Sequence, residues 1–107
     1  MSEAPPTRAL PGYQRRFLRA RAHALRPLVQ LGDAGVSDAV VASIVDALAA
    51  HELVKVRLRG PADKKRLARE LAERSRAVLC GLIGHTVILY RPHPERPRIE
   101  LPEREAP

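Results

Sequence analysis

Apolar positions along this chain recur at helical spacing, then at strand spacing, in alternation. From Tyr13 to His23 a step of 100° per residue places Tyr13, Phe17, Leu18, Ala20, Ala22 and Ala24 on one broad arc. Arg15, Arg16 and Arg19 share a separate arc, so the spacing predicts a first helix with a basic side. Arg21 falls on the apolar side, where a long stem lets the charge snorkel to water. Pro27 bars Arg26 from continuing the helix. Leu28-Val29-Gln30-Leu31 is short and branched, the pattern of a strand, and Gly32-Asp33-Ala34-Gly35 breaks it. Ser37 suits an N-cap and Asp38 suits the positive end of a helix dipole. Val40, Val41, Ile44, Val45 and Leu48 then predict a second helix over 37–51 with an apolar face.

From Leu53 to Leu58 apolar residues alternate with Lys55 and Arg57, which predicts a half-buried strand with two cations on its open side. Gly60-Pro61 reads as a turn and Asp63 as the cap of a third helix reaching about Arg76. Leu67 and Leu71 anchor its buried stripe, and Arg66–Glu70 and Arg69–Glu73 are spaced to pair. Two strands follow, 77–83 and 86–90, joined at Gly84-His85 as a tight hairpin. Beyond Arg91 come prolines at 92, 94, 97, 102 and 107, the composition of an extended tail; Ile99 and Leu101 are the apolar residues with which it could lie along the domain, and the pattern leaves open whether it does. The order α-β-α-β-α-β-β predicts an α/β fold, an α+β two-layer sandwich with helices covering at least one face of a four-stranded mixed sheet. The divisions expected are a flexible leader at 1–12, one domain at 13–102 and a tail at 103–107.

Length and charge narrow the function. A chain of 107 residues has room for one self-sufficient core. With only Tyr13, Phe17 and Tyr90 as aromatics, that core is aliphatic. Nineteen basic residues against twelve acidic give a net charge of +7, which favours a polyanionic partner such as nucleic acid. Sixteen of the cations are arginine, a side chain suited to bidentate phosphate contacts, although a GC-rich genome gives the same skew. A single cysteine, Cys80, allows no internal disulfide and points to a reducing compartment, hence the cytoplasm. No apolar run approaches the ~20 residues that span a bilayer, so no membrane partner is expected.

Three segments carry a resemblance to a known family. Leu25-Arg26-Pro27-Leu28-Val29-Gln30-Leu31-Gly32-Asp33-Ala34-Gly35-Val36-Ser37 resembles an L-K/R-P-x-x-x-x-G-x-x-G-[LV]-[ST] segment. His51-Glu52-Leu53-Val54-Lys55-Val56-Arg57 resembles H-E-L-[IV]-K-V-[KR]. Ile83-Gly84-His85-Thr86-Val87-Ile88-Leu89-Tyr90-Arg91 resembles a closing I-G-x-x-[VIL]-[VIL]-L-Y-R hairpin, and Ile99-Glu100-Leu101-Pro102 is similar to the same family's ending. All are found in bacterial YhbY-type proteins, which are free-standing CRM domains, and they occur here in the family's order. The resemblance implies a fold related to the C-terminal domain of the third bacterial translation initiation factor. It also implies RNA binding and association with precursors of the large ribosomal subunit. Plant organellar relatives use the domain in intron splicing.

The candidate site follows from the residues together with that resemblance. A tight Gly-x-x-G loop opening a helix lets backbone approach a phosphate, and KH domains clamp nucleic acid with a loop of this kind. By itself such a run is more often a plain strand-to-helix turn; the resemblance tips Gly32, Asp33, Ala34 and Gly35 toward RNA. KH loops usually carry a basic residue in the middle, whereas Asp33 repels phosphate, so contact is expected from backbone amides and nearby arginines. Gly81-Leu82-Ile83-Gly84 has the same spacing but apolar middle residues in a strand, and structure explains it. Arg15, Arg16, Arg19, Arg26, Lys55, Arg57 and Arg91 form the expected RNA-facing set, although any one surface cation is more often a solvated charge. The cations of the third helix, interleaved with Glu70 and Glu73, read as a solubilising face.

Catalysis has little support. The four histidines show no metal-ligand spacing, one cysteine makes no thiolate cluster, and no nucleotide-binding glycine motif is present. A Cys80–His85 nucleophile pair is the enzymatic alternative, against a buried structural thiol in an alternating strand. The expectation is a monomeric RNA-binding protein with no cofactor, no metal and no small-molecule substrate. A DNA-binding or general nucleic-acid chaperone role is the alternative among binding modules. Three aromatics cannot furnish a stacking platform.

Overall fold

The computed structural model describes residues 10–32, 34–59 and 63–104. Seven elements follow in the expected order: α1 (Gly12–Ala22), β1 (Pro27–Gln30), α2 (Asp38–His51), β2 (Leu53–Arg57), α3 (Lys64–Ser75), β3 (Val78–Ile83) and β4 (Thr86–Tyr90). The caps act as the sequence predicts. Ser37 accepts from the Val40 N–H at 3.2 Å and Asp63 from the Arg66 N–H at 3.2 Å. α1 has no side-chain cap, and the Gln14 and Arg15 amides instead donate to the Pro11 carbonyl. Of the two pairs expected on α3, Arg66–Glu70 forms, at 3.8 Å. The Gly60-Pro61 turn, Asp33, residues 1–9 of the leader and residues 105–107 of the tail lie outside the described residues.

The strands form one mixed sheet in the order β1-β2-β4-β3. β1 is parallel to β2, and β4 runs antiparallel to both β2 and β3. β1, β2 and β3 therefore point the same way, and α2 and α3 are the connections that return the chain between them. Side-chain alternation sends Val54, Val56, Val87 and Leu89 to one face, where they pack with Leu31, Ile44, Leu48, Ala68 and Leu71 under α2 and α3. Leu53, Ile88 and Tyr90 point to the other face, where α1 covers them through Leu18 and Ala22. Both faces of the sheet are thus covered. The strand expected to be half-buried is buried on both sides at its start, and only Lys55 and Arg57 run out beyond α1.

The tail completes the second face. Ile99 is buried with Leu53 and Tyr90, and Leu101 packs at the edge of the same cluster. Leu10, from the expected leader, packs there as well. Glu52 holds the tail in place. It is the C-cap of α2, at φ 65°, and its side chain is 0 % exposed. Its Oε2 accepts from the His93 amide at 2.7 Å, and its Oε1 from the amides of Arg98 at 2.9 Å and Ile99 at 3.0 Å. Its carbonyl accepts from the Arg91 amide at 2.8 Å. Further along, the Pro102 carbonyl accepts from Gln14 Nε2 and the Glu103 carbonyl from Tyr13 Oη, both at 2.8 Å, so the tail also braces α1.

Burial by itself raises the Glu52 pKa, but the amides of His93, Arg98 and Ile99, helped by the Arg98 charge, outweigh it and hold the carboxyl below its ordinary 4.5. A carboxyl with a depressed folded-state pKa stabilises the fold above its unfolded-state value and loses that contribution as pH falls through the folded one. Tail protection in hydrogen exchange should therefore be full at neutral pH and fade below about pH 4.5. Glu52→Gln sets an amide NH₂ against a backbone N–H and should cost about 1–3 kcal/mol in urea denaturation at pH 7. The variant's deficit should shrink in acid; a deficit of the same size at pH 3 would contradict this role for the charge.

Candidate nucleic-acid interface

The carboxyl ends of β1, β2 and β3 lie at one end of the sheet, and α2 begins there, just after β1. Helix N-termini carry partial positive charge and unpaired N–H groups, so this end is predisposed to anions. The Gly32–Gly35 loop occupies it. Gly35 has φ +73°, a conformation that L side chains adopt with difficulty. Its N–H donates to the Gly32 carbonyl at 3.1 Å and its carbonyl accepts from Ser37 N–H at 3.0 Å, closing a tight turn into α2. A Cβ built on Gly32 or Gly35 would meet nothing within 4 Å, so the space over both glycines is open. Asp33 lies outside the described residues.

Arg74 braces this loop from α3. Its Nη1 donates to the Val36 carbonyl at 2.7 Å, and its Nη2 pairs with the Asp38 carboxylate, which offsets the one acidic group in the first turn of α2. The sequence pattern puts Arg74 on a solubilising face, because periodicity along α3 carries no information about a loop 38 residues earlier. Beside the loop, Arg57 sits opposite Gln30 in the sheet register, two residues before Gly32, and its carbonyl accepts from Leu31 N–H at 2.8 Å. Exposed Arg59 follows at the same end. It lies just past the strand, where the alternating pattern stops, and so escaped the prediction.

The remaining expected cations are spread across the α1 side of the sheet. Lys55 donates from Nζ to the Leu25 carbonyl at 3.0 Å, close to exposed Arg26. Arg19 lies flat over β3, where a Cβ on Gly81 would come within 2.5 Å of its Cδ, and Nη1 donates to the Cys80 carbonyl at 2.7 Å. Gly81 is thus the seat of an arginine. Arg15, bonded to the Leu10 carbonyl, lines a hollow with Arg69 and Glu73 at the β3 edge, and Arg16 is exposed on α1. Strand spacing puts β3 roughly 14 Å from β1, so α1's arginines and the loop flank the sheet on opposite sides. Arg91 stands apart from both. Its Nη1 donates to the Ser75 carbonyl at 3.3 Å, against the end of α3 on the α2/α3 side. The structure therefore brings Gly32, Ala34, Gly35 and Arg57 together, continues them through Lys55 and Arg26, and sets Arg15, Arg16 and Arg19 on a second flank.

Cys80 is buried, with Sγ 3.8 Å from the Val78 carbonyl. Burial pushes its thiol up to about 12 despite the opposing charges of Arg19 and Arg15, whereas His85 is exposed in the hairpin. A thiol in that state supplies no nucleophile at neutral pH. Among the described residues no group of three or more His, Cys, Asp or Glu could hold a metal ion, and no helix is long and apolar enough to cross a membrane.

Residues 10–91 match the family model of the CRS1 / YhbY (CRM) domain. The chain is 43% identical over 95 residues to the probable RNA-binding protein YqeI of Bacillus subtilis, covering 87% of this chain and 99% of that one. It is 39% identical over 94 residues to an RNA-binding protein of Haemophilus influenzae, covering 85% and 93%. The solution structure of the Staphylococcus aureus protein SAV1595 superposes with a TM-score of 0.76 at 39% identity, covering 87% of this chain and 99% of its own.

Cys80 should stay unmodified by a thiol reagent at pH 8 in the folded protein and react at once when denaturant is added. Rapid labelling of the native state would show an accessible thiolate and reopen the Cys80–His85 reading.

Proposed function

We propose that this chain, which belongs to the CRS1 / YhbY (CRM) domain family, binds RNA and acts on ribosomal RNA or large-subunit precursor particles during ribosome assembly. One observation supports the reading above others: the open Gly32–Gly35 loop, turned by Gly35 at φ +73°, lies beside Arg57 where α2 begins. Phosphate would approach the loop amides and the start of α2, with Arg57, Lys55 and Arg26 along the adjoining edge. Arg15, Arg16 and Arg19 would meet a second stretch of backbone, since they lie across the sheet. Arg91, tied to Ser75, would contribute least. The role is that of a cytoplasmic monomer that binds without chemistry, with no cofactor. The net charge of +7 supports contacts directed at phosphate.

Affinity for a structured ribosomal RNA fragment should fall linearly with the logarithm of salt, each neutralised phosphate adding roughly −0.7 to −0.9 to the slope. A flat response from low to physiological salt would contradict phosphate contacts, and equal affinity for duplex DNA would favour the general nucleic-acid alternative. In extract gradients the protein should sediment with free large-subunit precursors rather than polysomes; an even spread over all ribosomal fractions would contradict the assembly role. Gly35→Asp should weaken RNA binding by about 1–2 kcal/mol, and Gly35→Asn, which tolerates the same backbone without charge, by less. If both variants fold and bind like the parent, the loop is only a turn.

A further inference from the structure

At the far end of β1 from the glycine loop, a hollow of about 270 Å³ opens between the end of α1, the end of α2 and the start of β1 and β2. Its floor is Leu53 and Ile99, both buried. Its walls are Leu25 and Leu28, which are 40 % and 54 % exposed, and Arg21, Arg26 and His51 line it as well. Leu25 and Leu28 stand open side by side over a buried apolar floor, a concave apolar patch rather than scattered surface leucines.

The walls are held in place. Leu25 is fixed through its backbone on both sides: its N–H donates to the Ala22 carbonyl at 2.9 Å, and its carbonyl accepts from Lys55 Nζ at 3.0 Å. Leu28 sits where the β1–β2 register shifts between Pro27 and Val29. Ile99 is pinned through its amide to Glu52. Among the described residues the guanidinium groups of Arg21 and Arg26 have no hydrogen-bond or ion-pair partner, so their charge is available to a ligand. The hollow beside β3 differs in that Glu73 lines it with the arginines.

An apolar floor with cations around it suits a flat apolar ring attached to an anion. The aromatic residues offer no alternative place for such a ring. Tyr90 is buried, Phe17 packs in the second core cluster, and Tyr13 Oη is bonded to the Glu103 carbonyl. We propose that this hollow receives one unstacked nucleotide of single-stranded RNA. Its base would lie against Leu25, Leu28 and Leu53, and its flanking phosphate between Arg21 and Arg26. The inference rests on the RNA-binding reading above and adds a base-contacting subsite to it. Four residues of β1, rising about 3.3 Å each, place the hollow roughly 13 Å from the loop, a span that a short single strand covers along the exposed β1 edge.

The test compares the parent with Leu25→Ser/Leu28→Ser, binding a short single-stranded oligoribonucleotide and an abasic ribose-phosphate strand of equal length. The parent should prefer the base-bearing strand by about tenfold, the scale of one buried apolar contact. The variant should lose most of that preference and bind the abasic strand as the parent does. Both leucines are exposed, so the variant should fold; thermal melting checks this, and Leu28→Thr, a β-compatible change, should move the preference the same way by a smaller factor. A parent with no preference for bases, or variants that keep it, overturns the subsite while phosphate binding stands, leaving the leucines to a protein partner. A parent that binds neither strand nor structured RNA overturns both readings.

Discussion

A buried carboxylate in an unfavourable backbone conformation holds the α1 side of this molecule together. Glu52 ends α2 at φ 65°, a region that costs a non-glycine residue roughly 1 kcal/mol or more, and a glycine there would be the simpler choice. The conformation persists because it turns the side chain into the gap between β2 and the tail, where three amides converge on it. A charged acceptor with several backbone donors makes stronger bonds than neutral pairs, and these offset both the backbone strain and the desolvation. Without them the proline-rich tail has one buried apolar anchor, Ile99, and few other contacts with which to oppose its own entropy. Through the tail, Glu52 sets the position of α1, because Gln14 and Tyr13 bond to the Pro102 and Glu103 carbonyls.

That dependence shapes the charge distribution. α1 lies across the sheet with its apolar side down, and its arginines reach out over β3, where Gly81 leaves room for the Arg19 stem. Lys55 and Arg57 clear α1 only at the β1–β2 side. The +7 excess is thereby divided into two cationic flanks. The sheet end, where the α2 dipole and the loop amides meet, adjoins one of them. A single phosphate could be met at one flank, but engaging both requires an extended polyanion. The Arg74–Asp38 pair sets a cation beside the one acidic side chain in the first turn of α2, which itself stays exposed.

The elements were legible in the sequence because their signals are local. Ser37 and Asp63 cap the helices they precede, Gly84 turns the hairpin at positive φ, and alternation in Leu53–Arg57 sorts the side chains correctly. Coverage of the second sheet face was not legible. It depends on the tail, whose docking rests on Glu52, and within His51-Glu52-Leu53 nothing distinguishes that glutamate from any surface carboxylate. The site was legible in part. The loop glycines and Arg57, singled out by motif and alternation, lie together in the fold. Arg74 was missed because it acts across 38 residues of sequence, and Arg19's seat on Gly81 could not be foreseen from a glycine whose neighbours are apolar. Periodicity says which side of an element a residue occupies, but not which other element that side faces.

On the proposed reading, RNA meets the loop end of the sheet and continues along the α1 side. An amide-resolved NMR titration of the folded protein with a structured ribosomal RNA fragment tests it most directly. The largest shifts are expected at Gly32, Gly35, Ser37 and Asp38, extending to Arg57 and Arg59, with a weaker second group along α1. Shifts concentrated instead on the outer faces of α2 and α3, around Ser43, Asp46 and Lys65, with the loop amides unmoved, would overturn it.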